Sequence, residues 1–313
     1  MGASDSTTSM AYAIKETFDP EVHEGLFRND QVVPTLTAYG MENITVPGGD
    51  YVQWHMNSTG NTSAAIYTEN DPAPASVAQG YIRPKVGFTY FWAWVTITGI
   101  GRDAVRNGNW DAVRAAVEGS MGDVIDLRST TYLGASSNGL GVAIDSTTTY
   151  AGVTRGSAAY FESTESSTNT LAGLRAAQRG CRDADKAGRP NLHLVSPTIL
   201  EWYANLGGTY VAATGGNGNL RMTQQADGTP YRADFGLATS GFSFYGSPVV
   251  ELADVTSTEW FGIDMRFLKH CTIRGLNVQF HSNVGDNELY KITVGSTLVY
   301  KEPKRAFKMT GLS

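Results

Sequence analysis

Residues 81–98, YIRPKVGFTYFWAWVTIT, form a strongly β-patterned stretch. A first β-patterned stretch lies at residues 44–56, ITVPGGDYVQWHM, and residues 57–80 separate the two. The separating segment is rich in Asn, Ser, Thr, Gly, Ala and Pro and has no periodicity. This pattern predicts one long β-hairpin with arms at 44–56 and 81–98. An isolated two-stranded hairpin is marginally stable in water, so we predict that a neighbouring copy of the chain completes it.

The second arm of this hairpin changes character along its length. One face is apolar or aromatic throughout: Ile82, Val86, Phe88, Tyr90, Trp92 and Trp94. The opposite face begins polar and then becomes apolar: Arg83, Lys85 and Thr89, followed by Phe91, Ala93, Val95 and Ile97. A strand that becomes apolar on both sides is typical of a ribbon that projects from the body and then enters a core. We therefore predict that Trp92 and Trp94 are buried.

Helical and strand patterns continue to the end of the chain. A helix is predicted from about Trp110 to Leu133, because apolar residues recur at spacings of three and four: Val113, Val117, Met121, Val124 and Leu127. Further helices are predicted at 171–187 and after Ser196-Pro197, and strands at 192–195, 242–252 and 260–268. The tail from Gly275 to Met309 is predicted to form three strands, with turns at 285–287 and 295–296.

The composition limits the possible functions. Charged residues are 17% of the chain, against about 25% in typical domains, so either subunit contacts are extensive or the surface is neutral. The net charge of −6 argues against dedicated nucleic-acid binding, which needs a clustered positive surface. The basic residues between 301 and 308 are predicted to be a solvated strand edge. No apolar run approaches the roughly 18 residues of a membrane span, and no secretory signal is visible.

The sequence contains no recognisable catalytic or metal-binding pattern. Its five histidines are scattered, and its two cysteines, Cys181 and Cys271, have no metal-ligand spacing. Residues 241–245 lack the second glycine of a nucleophile elbow, and the glycines at 99–101 and 215–218 lack the rest of a phosphate-binding motif. We therefore predict that the chain is not an enzyme and has no catalytic site, metal or cofactor.

The order of these parts resembles one known family. The chain resembles the major capsid proteins of tailed bacteriophages, whose fold is named after phage Hong Kong 97. The shared order of parts is an N-terminal arm, an extended two-stranded loop, a long helix, an α/β segment and a return to strands. Three short stretches agree with it. Residues 194–198 resemble the strand-to-helix step of that family's axial domain, residues 245–250 its recurrent Gly-x-Pro-Val strand, and residues 298–307 its closing strands.

The resemblance implies an α+β, Hong Kong 97-type capsid fold in four parts. These are an N-arm at 1–40, an extended β-hairpin loop at 41–97, a peripheral domain with a spine helix at 98–138 and 269–313, and an α/β axial domain at 139–268. The implied protein assembles into pentamers and hexamers that form an icosahedral head shell. The candidate intersubunit contacts lie on the extended loop: Tyr67, Glu69, Asp71, Arg83 and Lys85.

The resemblance also implies partners and a location. The partners are other copies of the chain, a portal, a decoration protein as a further candidate, and packaged double-stranded DNA bound without sequence specificity; no membrane is involved. The location is the virion, after assembly in the host cytoplasm. No long, charged helical segment near the N-terminus could act as a built-in scaffold, so a separate scaffolding protein is expected. Residues 43–83 contain no Lys, so the lysine cross-linking of some relatives is not expected.

Two other functions remain open from the sequence. An encapsulin-type cellular compartment shell shares the fold, and a cargo enzyme encoded beside it would identify it. An α/β enzyme could assemble its site from loops, where Glu165, Asp227 and Asp254 are predicted to lie. An enzyme should elute from a sizing column as a monomer or small oligomer, whereas a shell protein should elute as capsomers or particles.

Overall fold

The computed structural model describes residues 32–59, 79–99, 112–134, 138–155, 158, 160–183, 190–204, 243–285 and 287–312. The helices in this part of the chain are α1 (Val32–Ala38), α2 (Ala112–Leu133), α3 (Leu140–Ala143), α4 (Leu171–Asp183) and α5 (197–204). The first eight strands are β1 (Glu42–Thr45), β2 (Tyr51–Gln53), β3 (Met56–Thr59), β4 (Gly80–Ile82), β5 (Lys85–Gly87), β6 (Thr89–Thr98), β7 (Thr149–Tyr150) and β8 (Val153–Thr154). The remaining strands are β9 (Thr164–Ser166), β10 (Leu192–Val195), β11 (Ser243–Phe244), β12 (Ser247–Glu251), β13 (Trp260–Ile263), β14 (Leu268–Val284), β15 (Asn287–Tyr300) and β16 (Phe307–Met309).

A four-stranded sheet in the order β1-β14-β15-β6 is built on the two longest strands. β1 runs parallel to β14, and the other neighbours are antiparallel. The predicted turn at 285–287 is confirmed, since β14 ends at Val284 and β15 begins at Asn287. The predicted turn at 295–296 is wrong, because Gly295 lies inside β15. A Cβ on Gly295 would lie 2.8 Å from the ring of Tyr90, so this glycine permits close packing between strands.

The helix α2 packs on one side of this sheet and confirms the helix predicted at 110–133. Val124 and Tyr132 are buried, and the hydroxyl of Tyr132 donates a hydrogen bond of 2.7 Å to Ser296 Oγ. Leu127, predicted to face the core, is 54% exposed. At 3.6 residues per turn, the buried residues Val124, Ser129 and Tyr132 lie on one side of the helix, and Leu127 lies away from that side.

The two predicted hairpin arms do not pair with each other along their whole length. β1 pairs with β14 and β6 pairs along its whole length with β15, so among the described residues 51–59 and 80–87 form the ribbon, through the pairs β2–β5 and β3–β4. Residues 47–49, Pro-Gly-Gly, separate β1 from β2, and Gly49 has a positive φ of 114°. The predicted arms therefore belong partly to the four-stranded sheet and partly to the ribbon.

A second, six-stranded sheet has the order β11-β12-β10-β13-β16-β9. The strand predicted at 192–195 is confirmed as β10, and all four of its residues are buried. Ser196 caps the following helix, because its Oγ accepts a hydrogen bond of 3.3 Å from the backbone N–H of Ile199. The strand predicted at 242–252 is divided at Tyr245-Gly246 into β11 and β12, and the one predicted at 260–268 ends as β13 at Ile263.

The last strand, β16, joins the six-stranded sheet between β13 and β9. The predicted four-part division groups this strand with β14 and β15, and that division stays a prediction. Helix α4 packs against the same sheet through Leu174, Ala177 and Cys181. The resulting core includes Trp260 and Phe307, both fully buried.

Gly262 is expected to be intolerant of a side chain. It pairs directly with Phe307 across β13 and β16, and a Cβ at this position would lie within 2.6 Å of ring atoms of Phe307. Because the ring is buried, we expect Gly262→Ala to lower the free energy of unfolding by about 1–3 kcal/mol. Urea denaturation measures the loss. The double variant Gly262→Ala/Phe307→Leu should lose less than the sum of the two single losses, and strict additivity would contradict the proposed clash.

Candidate subunit interface

The described candidate contact residues lie on the outer side of the ribbon. Arg83, between β4 and β5, and Lys85, in β5, are both exposed. The Nζ of Lys85 lies 5.4 Å from the centre of the Tyr51 ring, and the neighbouring Val86 is buried. The structure therefore leaves both cations exposed, Lys85 in β5 and Arg83 in the segment just before it. Tyr67, Glu69 and Asp71 lie outside the described residues.

The base of the ribbon is attached to the body of its own chain. The backbone N–H of Lys85 donates a hydrogen bond of 3.0 Å to the carbonyl of Ala151. The side-chain amide of Asn138 donates one of 2.8 Å to the carbonyl of Gly87. Tyr51, which pairs with Gly87 at the base, and Tyr81, which lies farther out, are 47% and 66% exposed. The ribbon thus has a fixed base and presents tyrosines and two cations to its surroundings.

A second exposed surface lies on β6. Tyr90, Trp92 and Trp94 occupy alternate positions, share one side of the sheet and are 55%, 57% and 39% exposed; we call them the aromatic face. The prediction that Trp92 and Trp94 are buried is wrong for the single chain. Helix α2 packs on β6, and the buried residues of this strand, Phe91, Val95 and Ile97, lie on the other side.

The distal half of β14 is a third exposed surface. Leu276, Val278 and Phe280 alternate with polar residues and are 36%, 36% and 55% exposed. β1 pairs with β14 only at residues 269–272, and no other described strand pairs with that edge. An alternating strand with an open edge and exposed apolar side chains has features of a protein contact surface. The sequence showed this alternation, but it did not show that the edge is open.

A buried ionic cluster links three segments of the chain. Lys308 of β16, 8% exposed, lies 3.6 Å from Asp145 and 3.4 Å from Glu165, and its ammonium group donates a hydrogen bond to the carbonyl of Gly141. The prediction of a solvated basic edge is therefore wrong at Lys308. Burial opposes ionisation of Asp145, but hydrogen bonds from the backbone N–H groups of residues 147 and 148, together with the Lys308 charge, lower its pKa to about 2.

Arg155 extends this cluster into the core. It is fully buried, and its guanidinium donates hydrogen bonds of 2.9 and 2.6 Å to the carbonyls of Val142 and Ala143. Burial lowers the pKa of Arg155 to about 10, so it is positively charged at neutral pH. Glu165, considered above for acid–base chemistry, accepts a hydrogen bond of 2.9 Å from Ser146 Oγ and faces Lys308. These contacts give the cluster a structural role.

His193 is a buried histidine with a structural contact. Burial lowers the pKa of His193 to about 3, so its ring is neutral, and Nδ1 accepts a hydrogen bond of 3.2 Å from Trp260 Nε1.

The described residues contain no group of three or more His, Cys, Asp or Glu side chains that could hold a metal ion. Among the described helices, none is long and apolar enough to span a membrane. Asp227 lies outside the described residues.

Comparison with known proteins identifies the fold. No protein-family model matches the chain, and no curated protein is significantly similar to it. The structure is similar to the capsid asymmetric unit of cyanophage A-1(L), with a TM-score of 0.73, 13% identity and coverage of 98% of this chain and 99% of that one. It is also similar to the capsid of an empty GTA particle, with a TM-score of 0.62, 10% identity and 96% coverage of both chains.

An encapsulin also has a related structure. The holo encapsulin complex of Synechococcus elongatus matches with a TM-score of 0.55, 12% identity and coverage of 99% of this chain and 96% of that one. At these identities the likeness identifies the fold. The predicted α+β architecture is confirmed: this chain has the Hong Kong 97-type fold of phage capsid proteins.

Proposed function

We propose that this protein is the major capsid protein of a tailed bacteriophage, which assembles into pentamers and hexamers and forms an icosahedral shell around double-stranded DNA. The supporting observation is the match to a cyanophage capsid subunit over 98% of this chain and 99% of that one. The exposed apolar and aromatic side chains on β6 and β14 support extensive contact between copies. The role is structural, in keeping with capsid neighbours that are shell proteins.

The proposal extends to the partners of the shell. Arg83 and Lys85, together with Tyr67, Glu69 and Asp71, contact neighbouring subunits. A separate scaffolding protein directs assembly in the host cytoplasm, a portal occupies one vertex, and a decoration protein is a further candidate partner. The net charge of −6 favours DNA that is enclosed without sequence-specific binding.

A second candidate function is a cellular encapsulin-type compartment. The specific observation in its favour is the match to the Synechococcus elongatus encapsulin, which covers 99% of this chain with a TM-score of 0.55. The higher TM-score of 0.73 with the cyanophage capsid favours the viral function. The contents of native particles distinguish the two, because a phage head holds nuclease-protected double-stranded DNA and an encapsulin holds a protein cargo.

The test of the shell function is electron microscopy of the purified chain, expressed with and without the genes that flank it. We expect capsomers or closed icosahedral particles. A monomer at high concentration in both preparations would contradict the proposed function. Particles of native size from the pure chain alone would contradict the separate scaffold and leave the shell function intact.

Charge inversion tests the proposed contacts on the ribbon. We expect Arg83→Glu/Lys85→Glu to slow assembly several-fold at low salt, since exposed charges contribute about 0.2–1 kcal/mol each and act mainly on encounter and register. Light scattering measures the rate, and the difference should shrink at high salt. The unfolding midpoint should stay unchanged.

A matched control for this inversion lies on another element. Arg175 and Arg179 are exposed on α4, in the six-stranded half of the fold. Arg175→Glu/Arg179→Glu makes the same change of net charge away from the ribbon. Equal slowing by this variant and by the ribbon variant would show that net charge, and not the ribbon contact, controls assembly.

A further inference from the structure

The aromatic face is held in a fixed arrangement by its own neighbours. The rings of Trp92 and Trp94 meet edge to face with centres 6.1 Å apart, and the His281 ring lies 5.0 Å from Trp94. The Nζ of Lys291 lies 5.3 Å from the centre of the Trp94 ring. Side chains that are fixed before binding lose little entropy on contact. The face is therefore preorganised for association.

The residues around these rings resemble the centre of a protein interface. Directly paired residues of antiparallel strands share one side of a sheet, which places Gly295, Thr293 and Lys291 beside Tyr90, Trp92 and Trp94. Asn277 and Gln279 of β14 continue the same side. None of these eight residues is acidic, and Lys291 is the one with a full charge. Interface centres are enriched in Trp and Tyr and depleted of charge.

The geometry and charge of the face disfavour several other kinds of ligand. Small molecules bind in concave pockets, whereas these rings stand on the open side of a β-sheet. Nucleic acids and anionic membranes require clustered positive charge. The paired residues carry two separate cations, Lys291 beside Trp94 and Arg274 beside Gly295 at the other end of the face, and these do not form a cluster. A protein surface is the occupant that fits these properties.

The exposed area indicates how large the partner surface must be. A buried aromatic side chain contributes about 150–250 Å², so three rings that are 39–57% exposed offer roughly 300 Å². A stable interface buries about 800 Å² on each partner. The aromatic face supplies more than a third of this area, and the exposed polar residues of the same three strands can supply part of the remainder.

We propose that a second copy of this chain covers the aromatic face in the assembled shell. The inference rests on the proposed function, in which copies of the chain surround one another. β6 is apolar on both sides, the pattern of a strand that is buried on both sides, yet the described part of the chain covers only the side of Phe91, Val95 and Ile97. A neighbouring copy supplies the second cover, so the subunit completes its own β6 only on assembly.

Site-specific photo-cross-linking tests this proposal in intact particles. Trp92 is replaced by p-benzoylphenylalanine in the full chain, and labelled and unlabelled copies are assembled together and irradiated. We expect a covalent dimer of the 33.6 kDa chain, with mixed-isotope peptides that prove a bond between two copies. The same variant irradiated as dissociated chains should give no dimer. A cross-link to a different protein, or none in intact particles, overturns the proposal.

Substitution provides a second readout. Because both rings are exposed in the single chain, Trp92→Glu/Trp94→Glu should leave its unfolding midpoint within a few degrees of the wild type and reduce particle yield at least tenfold. Trp92→Phe, which keeps an aromatic ring, should retain particles. Wild-type yield from the double Glu variant overturns the role of the face. If the unsubstituted chain forms no particles, the proposed function fails first and this inference fails with it.

Discussion

Trp260→Ala is expected to lower the free energy of unfolding by about 3–5 kcal/mol. Trp260 is fully buried in β13, in contact with the rings of Tyr203, Phe244 and His193, whose centres lie 5.2–6.0 Å away. Its removal leaves a cavity. It also removes the hydrogen bond from Nε1 to His193 Nδ1, and an unpaired buried acceptor costs about 1–3 kcal/mol.

Chemical denaturation of the isolated chain measures this loss, and the chain offers two matched controls. Trp260→Phe keeps an aromatic ring and removes the N–H donor, so it should lose less stability than the Ala variant. Trp94→Ala removes the same side chain from a position that is 39% exposed, and we expect a loss below about 1 kcal/mol. Equal losses for Trp260→Ala and Trp94→Ala would show that the buried position of Trp260 is misassigned.

Lys308→Met should lower the free energy of unfolding by about 1.5–3 kcal/mol, because it removes a buried cation that faces a half-buried and an exposed carboxylate. The side chain keeps its length, so the loss is mainly electrostatic. Asp145 and Glu165 both lie within 3.6 Å of the Lys308 ammonium group. The double variant Lys308→Met/Glu165→Gln removes one of these charges as well and should be more stable than Lys308→Met. If it is less stable, the ion pair does not account for the loss.

The same cluster predicts a dependence on pH. Asp145 has a pKa of about 2 in the folded chain, below its ordinary value of 3.8. A carboxyl whose pKa falls on folding stabilises the fold above its ordinary pKa, and this contribution is lost as the pH falls through the folded value. The urea midpoint should therefore decrease between about pH 4 and pH 2. Asp145→Asn should be less stable at pH 6 and less sensitive to pH in this range; an unchanged pH dependence would contradict the assignment.

The sequence predicted those parts of the fold that depend on local signals. Three predicted elements depend on residues that lie close together in the sequence, and all three are confirmed. They are the spine helix, the buried strand at 192–195 and the helix cap at Ser196. The order of elements was sufficient to predict the Hong Kong 97-type fold. The turn at 285–287 was also predictable, because Gly, Asp and Asn together favour a turn.

The errors concern contacts between distant parts of the chain. The partners of β1 and β6 are β14 and β15, roughly two hundred residues or more away in the sequence, and no local pattern identifies so distant a strand partner. Glycine is common in turns, but at position 295 its small size is needed for close packing against the ring of Tyr90. The basic residues around Lys308 are typical of a solvated strand edge. Lys308 itself is buried, because it faces two carboxylates that lie far from it in the sequence.

The candidate interface was partly visible in the sequence. Arg83 and Lys85 are exposed on the ribbon, and their contact with a neighbour stays a prediction. The alternating pattern of β6 predicted that Trp92 and Trp94 are buried. This prediction holds only if a second molecule covers their side of the sheet. A single sequence cannot show whether an apolar face is covered by its own chain or by another copy.

The position of β16 has a consequence for aggregation. This strand lies between β13 and β9, so a chain without residues 307–309 leaves both of these strands with an open edge. Open edges recruit foreign strands and favour aggregation. A chain without β16 is therefore expected to aggregate with other chains before it can enter a particle.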